Sequence, residues 1–199
     1  MSVIDFEQYQ QQQRRISNQD RISELEDLLM QTVEDYDRGG NVDSSLDFLG
    51  YELSFYDPKN VLGLVGRAYA IRRYDLEKSA KYMKEALAYD PHNEVVIKSL
   101  IYLADQHKYN WSLASSKIIL PAIRFSLEHF ADDEIMMEMT LRLALHFKNF
   151  EIDGMIKGAY NNLRVLNPGT AEKYKPVVEL SVRQPPKLRL IRGENDHSN

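Results

Sequence analysis

The chain has 199 residues, of which 43% are hydrophobic and 28% charged, and its formal net charge is -5. This composition is sufficient to bury a core, and the absence of cysteine excludes disulfide bonds, thiolate metal sites and cysteine nucleophiles. Residues 1–13 lack the cationic start and apolar run of a signal peptide, and no apolar run approaches the roughly 18 residues of a membrane span. We therefore expect a cytoplasmic protein with no membrane insertion.

Apolar residues recur at helical spacing almost throughout the chain, and the alternation typical of strands is scarce. Residues 1–19, which are rich in glutamine, are predicted to be flexible or to extend the first helix. That helix ends at Gly39-Gly40-Asn41, and a second helix ends at Asp57-Pro58, because proline disfavours helical geometry in the preceding residue. The two predicted apolar stripes are Ile22, Leu25, Leu29, Val33 and Tyr36, and then Leu46, Leu49, Leu53 and Tyr56.

The same layout of paired helices returns three times. The prolines that close the clearest pairs, Pro58, Pro91 and Pro168, are separated by 33 and then 77 residues, which is one period and about two. Such periods are typical of helical arrays, in which each pair buries its apolar face only by stacking on the next pair. The predicted helices are Val61 to Arg72, Leu76 to Tyr89, Glu94 to His107, Leu113 to Phe130, Glu134 to Lys148 and Asp153 to Leu166.

The fold class expected from this pattern is all-α, with about four helical hairpins over residues 20–182. Thr170 to Val182 is predicted to be a capping helix that covers the apolar end of the last pair. Residues 183–199 form a basic tail that contains Pro185-Pro186, resists helix formation and is predicted to be disordered.

One segment carries small and aromatic residues at defined offsets: Gly66-Arg67-Ala68-Tyr69, Tyr74-Asp75, Ser79, Tyr82, Ala86 and Asp90-Pro91-His92-Asn93. This set resembles a tetratricopeptide repeat, although Ser79 stands where the family usually has alanine. The neighbouring repeats match more loosely. The resemblance implies a right-handed stack of antiparallel helix pairs, in which the first helix of each pair lines a concave groove.

The resemblance also places a set of side chains in that groove. Arg67, Lys98 and Arg142 above the ring of Tyr102 would suit an acidic-hydrophobic peptide, through charge-assisted bonds at the rim and apolar burial beneath. The family's clamp for a C-terminal carboxylate is matched only at Arg142, so that mode of binding is not expected. The predicted groove residues are Arg67, Lys98, Tyr102, Asp105, Arg142 and Lys148, with Leu141 and Leu145 beside them.

Charge is distributed unevenly along the chain. Residues 1–57 carry 13 acidic residues against four arginines, whereas residues 58–131 have a net charge of +4. Such separation can steer association with a charged partner or align copies of the chain head to tail, and the alternative is a solvated acidic face.

No motif for catalysis, a cofactor or a phosphate loop is found, so no catalytic residue, cofactor or metal site is predicted. His129 with Asp132, Asp133 and Glu134 is the one combination suited to a hard metal ion. The interpretation preferred for it is that its acidic residues favour the positive N-terminus of the next helix. Trp111 and the Met136, Met137 and Met139 group are predicted to pack in the core, with partner contact as the alternative for Trp111 and an adaptable binding surface as the alternative for the methionines.

The function favoured by these features is a non-catalytic adaptor that docks a protein segment, or a dedicated assembly or secretion chaperone. One alternative is nucleic-acid association through the tail cations, which the acidic first quarter disfavours. The tail could equally be a docking peptide for another protein, self-association is also expected to be feasible, and an enzyme with an unrecognised site is the remaining alternative. The tail cations are Arg183, Lys187, Arg189 and Arg192.

Overall fold

A computed structural model describes residues 18–33, 43–107, 115–147 and 152–183, and these ranges contain nine helices and no strand. The all-α prediction is confirmed for them. The predicted residues Trp111, Lys148, Lys187, Arg189 and Arg192 lie outside the described ranges. The helices are α1 (18–33), α2 (Asp43–Tyr56), α3 (Val61–Ile71), α4 (Leu76–Tyr89), α5 (Glu94–His107), α6 (Ser116–His129), α7 (Glu134–His146), α8 (Asp153–Leu166) and α9 (Pro168–Arg183).

The predicted bounds of α4, α5 and α8 agree with the structure at both ends. The last helix begins at Pro168, two residues before the predicted start at Thr170. Proline is favoured in the first turn of a helix, because its missing N–H would have no partner there in any case. Pro168 was predicted only to end the preceding helix, whereas it also begins the next helix.

Side-chain caps recur where α3, α5, α7 and α9 begin. The capping residues are Asn60, Asn93, Asp133 and Asn167, which lie 33, 40 and 34 residues apart. In each case a side-chain oxygen accepts a hydrogen bond from a backbone N–H in the first turn, as Asn60 Oδ1 does from Gly63 at 2.8 Å. Capped helix starts therefore recur along the described chain at intervals of 33 to 40 residues.

Two of these caps also bond to the preceding odd-numbered helix. The Asn60 amide donates to Glu26 Oε1 of α1 at 2.6 Å, and the Asn167 amide donates to Glu134 Oε1 of α7 at 2.6 Å. The partners are 34 and 33 residues apart, so the same contact joins first helices one repeat apart at both ends of the described chain. Helices that follow one another in the chain pack together, and α3 with α5, α5 with α7 and α6 with α8 pack as well. This arrangement fits a helical repeat.

All nine helices contribute side chains to one apolar core. Two buried hydroxyl contacts lie between helices, where Ser79 Oγ donates to the Ala68 carbonyl at 2.8 Å and Ser126 Oγ lies 2.8 Å from Thr140 Oγ1. These polar groups are therefore satisfied inside the core. In the part of the chain that the structure describes, no helix is long and apolar enough to cross a membrane. Core residues, one from each helix, are Leu29, Leu53, Val65, Met83, Leu100, Ile123, Leu143, Leu163 and Ala171.

The backbones of α2 and α3 pack closely against each other at two glycines. A Cβ atom added at Gly50 would lie 2.8 Å from the Gly63 carbonyl oxygen and 2.9 Å from the Arg67 backbone nitrogen. At Gly63 it would lie 3.2 Å from the Gly50 carbonyl oxygen. The two glycines therefore face each other across the contact, and because the opposing atoms are backbone, neither helix can accept a side chain there without moving.

We expect Gly50→Ala to lower the free energy of unfolding by about 1–3 kcal/mol, the usual cost of overpacking. Urea unfolding followed by circular dichroism measures this loss. Gly158→Ala is the matched control, because its Cβ would lie 3.6 Å from the Leu127 methyl groups, at ordinary contact distance. This control should raise the free energy of unfolding by about 0.4–1 kcal/mol, because alanine allows the unfolded chain fewer conformations than glycine does. Equal effects of the two substitutions would contradict the close approach of α2 and α3.

Candidate functional site

A groove is formed by the helices that alternate along the chain, α1, α3, α5 and α7. It encloses about 280 Å³, and most of the side chains along it are apolar or aromatic. Residues from all four helices line the groove, so it exists only when the repeats are stacked side by side. The lining residues are Met30, Val33, Tyr69, Val95, Lys98, Ser99, Tyr102, Asp133, Ile135, Met136 and Met139.

The apolar part of the groove combines a buried floor with an open rim. Met136 is buried, Met139 is half-buried, and Ile135 is 66% exposed. Covering an isoleucine of that exposure with another apolar surface is energetically favourable. Methionine side chains adjust their shape to what contacts them. The expectation that the methionine group packs in the core is confirmed for Met136 and Met137, whereas Met139 remains partly open to the groove.

The charged part of the groove is the pair formed by Lys98 and Asp133. Lys98 Nζ lies 3.5 Å from Asp133 Oδ2, and both side chains are partly exposed. The same ammonium lies 4.7 Å from the centre of the Phe130 ring. A partly exposed pair at this distance is weak, so the lysine can exchange its contact with Asp133 for one with an incoming acidic group.

One wall of the groove is built from the stacked rings of Tyr69 and Tyr102, whose centroids are 5.8 Å apart and whose planes differ by 18°. Behind this wall, the buried guanidinium of Arg72 donates to the Tyr69 carbonyl and lies 5.7 Å from the Tyr69 ring. Burial, helped by the nearby charge of Arg73, lowers the pKa of Arg72 to about 10, which leaves it protonated at neutral pH. Arg72 is therefore a cation that contacts the Tyr69 side of this wall.

A second charged cluster joins α5, α7 and α9. Arg142 forms bidentate hydrogen bonds with Asp105, at 3.1 Å from Nε to Oδ1 and 2.7 Å from Nη2 to Oδ2, and its Nη1 donates to Glu138 at 2.9 Å. The Tyr174 hydroxyl donates to the same oxygen of Glu138 at 2.7 Å. Burial acts to lower the pKa of Arg142, but the hydrogen bonds and charges of its partners outweigh burial and raise that pKa above its ordinary value. The guanidinium of Arg142 therefore already has carboxylate partners within the protein.

The structure brings together only part of the predicted groove set. Lys98 and Tyr102 line the groove, and Asp105 follows them on the same face of α5. Arg67 instead lies over the Tyr82 ring of α4, 4.4 Å from its centroid, and is not a lining residue. Leu141 is fully buried rather than facing the groove.

Helix α1 and the first turns of α7 also line the groove, which the sequence did not lead us to predict. Met30 and Val33 line the groove, although Val33 had been recognised only as part of an apolar stripe. Ile135 and Met139 are four residues apart and precede Arg142 along one side of α7. That spacing was the available signal, because residues at positions i, i+4 and i+7 share a helix face.

Of the acidic residues near His129, Asp133 caps helix α7. Asp133 Oδ1 accepts the Met136 N–H at 3.0 Å, and His129 stacks on the Phe125 ring with centroids 4.0 Å apart. The preferred interpretation, that these acids serve the next helix, is confirmed for Asp133. Within the described ranges, no group of three or more histidine or acidic residues is placed to hold a metal ion.

Comparison of the chain with models of known protein families, with curated proteins and with solved structures found no match. The resemblance to tetratricopeptide repeats therefore stays a prediction.

We expect Asp105→Asn to lower the free energy of unfolding by about 1–3 kcal/mol, because Arg142 would keep its charge but lose its bidentate carboxylate. The side chain of Asp105 is only 9% exposed, so water cannot replace the lost contact well. The measurement is urea unfolding. Glu172→Gln is the control, since its pair with Lys175 is exposed on both sides and should contribute almost nothing. Equal losses in the two variants would show that Asp105 does not connect α5 to α7.

We also expect the stability of the protein to depend on the protonation of His107. Burial and the charge of Arg72 lower the pKa of His107 in the folded state. The unfolded chain then binds this proton more tightly, so the contribution of His107 is complete above pH 6.5 and is lost as the pH falls below that value. Unfolding midpoints measured from pH 8 to pH 5 should fall more steeply for the wild type than for His107→Gln. Parallel profiles would contradict this assignment.

Proposed function

We propose that this protein is a non-catalytic adaptor that binds a segment of another protein in the groove lined by α1, α3, α5 and α7. In this proposal the hairpins form a right-handed stack like that of tetratricopeptide proteins. The observation that supports it most is that four alternate helices line one cavity, and three of them, α1, α5 and α7, present partly open apolar side chains to it. Docking of a helix or an extended segment in such a groove is a common mode of peptide recognition.

The proposed ligand is a segment that presents aliphatic or aromatic side chains to the floor. The exposed side chain of Ile135 and the half-buried Met139 and Tyr102 would be covered by such a segment. Burial of apolar surface supplies the free energy of binding, and the flexible methionines allow the floor to fit side chains of different shape.

Lys98 would be the main residue that recognises a charged group on the ligand. Among the three cations that the sequence assigned to the rim, Lys98 lies in the groove, whereas Arg67 stacks on Tyr82 and Arg142 is bonded to Asp105. The proposed preference is therefore for an apolar segment with a single acidic side chain near Lys98. This is narrower than the broadly acidic peptide expected from the sequence.

The experiment is selection of binding peptides from a displayed random library on the full-length protein, followed by fluorescence anisotropy of the selected peptides. Ile135→Glu should weaken binding at least tenfold, because it places a charge where an apolar side chain docks. The folding cost should be small, since the residue is 66% exposed. Lys98→Glu should weaken binding only of those selected peptides that carry an acidic residue.

Val165→Glu is the matched control. Val165 is an apolar residue on α8, is 80% exposed and does not line the groove. Its replacement should leave the affinity within about twofold, a change of less than 0.5 kcal/mol. A library that yields no binder, or binders that lose affinity equally in the Val165 and Ile135 variants, would refute the groove as the binding site.

A further inference from the structure

The outer face of α2 carries large aromatic side chains that the core does not use. Phe48, Tyr51 and Phe55 are 59%, 61% and 73% exposed, and they follow one another at positions i, i+3 and i+7. Residues at that spacing share one side of a helix. The opposite side of α2 packs on α3, where Gly50 makes the close backbone contact described above. We call the exposed side, together with the neighbouring Tyr74, the α2 outer face.

This face has an open cavity and an acidic charge. The cavity encloses about 580 Å³ between Phe48 and Tyr51 of α2 and Tyr74 of the turn after α3, and exposed Asp47 lies at its edge. The sequence of α2 contains three acidic residues and no basic one. Exposed aromatic rings gathered on an acidic surface are unusual for a face that only meets water.

The side chains that suit such a face are cationic and aliphatic together. A guanidinium or ammonium group is attracted both to the face of an aromatic ring and to carboxylates beside it. Aliphatic side chains gain free energy by covering the rings. Within this chain, residues 187–192 have that chemistry, since they read Lys-Leu-Arg-Leu-Ile-Arg, with three cations and three aliphatic residues in six positions.

We propose that the α2 outer face binds residues 187–192 of a second copy of this chain. The segment follows α9, which packs on α8, whereas α2 packs on α3. Among α2 to α9, the helix pairs in substantial contact are all one or two places apart in the chain, so α2 and α9 do not pack on each other. A contact between two copies is therefore favoured over a contact within one copy. Such a contact joins two different surfaces, and copies associate head to tail.

The test uses the full-length chain in analytical ultracentrifugation over a range of protein and salt concentrations. The wild type should rise above the monomer mass of 23.2 kDa as its concentration increases, and salt should reverse the association. A face variant, Phe48→Ser with Phe55→Ser, should remain monomeric. So should a segment variant in which Lys187, Arg189 and Arg192 are all replaced by glutamine. Val165→Ser, at an 80% exposed position on α8, should associate like the wild type.

Mixing the two monomeric variants provides the decisive measurement. A head-to-tail contact leaves one intact face and one intact segment in the mixture, so the face variant and the segment variant should form a one-to-one complex. Circular dichroism melts of both variants should match the wild type, which excludes loss of association through unfolding. A wild type that stays monomeric, two variants that associate normally, or a mixture that forms no complex would each overturn the proposal.

Discussion

Each helical hairpin of this chain depends on its neighbours to cover its apolar side. The core is one continuous cluster with contributions from all nine helices, so no pair has a core of its own within the described ranges. Three pairs of helices two places apart in the chain also pack together, α3 with α5, α5 with α7 and α6 with α8, which spreads their apolar faces over the next repeat. The order of the helices in space therefore follows from burial, and the surfaces available for binding follow from that order.

Polar contacts between odd-numbered helices fix how closely the repeats approach. Asn60 with Glu26, and Asn167 with Glu134, join the start of one such helix to the preceding one. Asp105 with Arg142 makes a similar connection between α5 and α7, and Tyr174 extends it to α9 through Glu138. Apolar packing alone is not directional, whereas hydrogen bonds of this kind require one register. Two of these contacts connect helices that line the groove, α1 with α3 and α5 with α7.

The sequence was sufficient to predict the helices because local signals mark their ends. Asp90-Pro91 closes α4, and the bounds of α4, α5 and α8 were predicted at both ends. The groove was harder to predict, because the rotation of each helix about its axis depends on packing that no local signal records. Lys98 and Tyr102 line the cavity, whereas Arg67 lies over the Tyr82 ring of α4.

The outer face of α2 was overlooked for a related reason. A search for the buried stripe of a helix leaves the remaining positions classed together as solvent-facing. The apolar stripe at Leu46, Leu49 and Leu53 was predicted and is buried. Phe48 and Phe55 lie on the other side of the same helix, and their spacing was visible in the sequence once the core had been assigned.

The charge that the protein displays differs from the charge that its sequence suggests. Arg72 is buried against Tyr69, Arg67 lies on Tyr82, and Arg142 is bonded to two carboxylates, so these three cations have partners inside the fold. Acidic residues of the first quarter, such as Asp27 and Asp47, are exposed. Because exposed charges act at longer range than paired ones, a partner meets a more acidic surface on α1 and α2 than the net charge of -5 implies. That imbalance favours cationic ligands at the first two helices, whereas the groove, with an apolar floor and one accessible lysine, favours a ligand of a different kind.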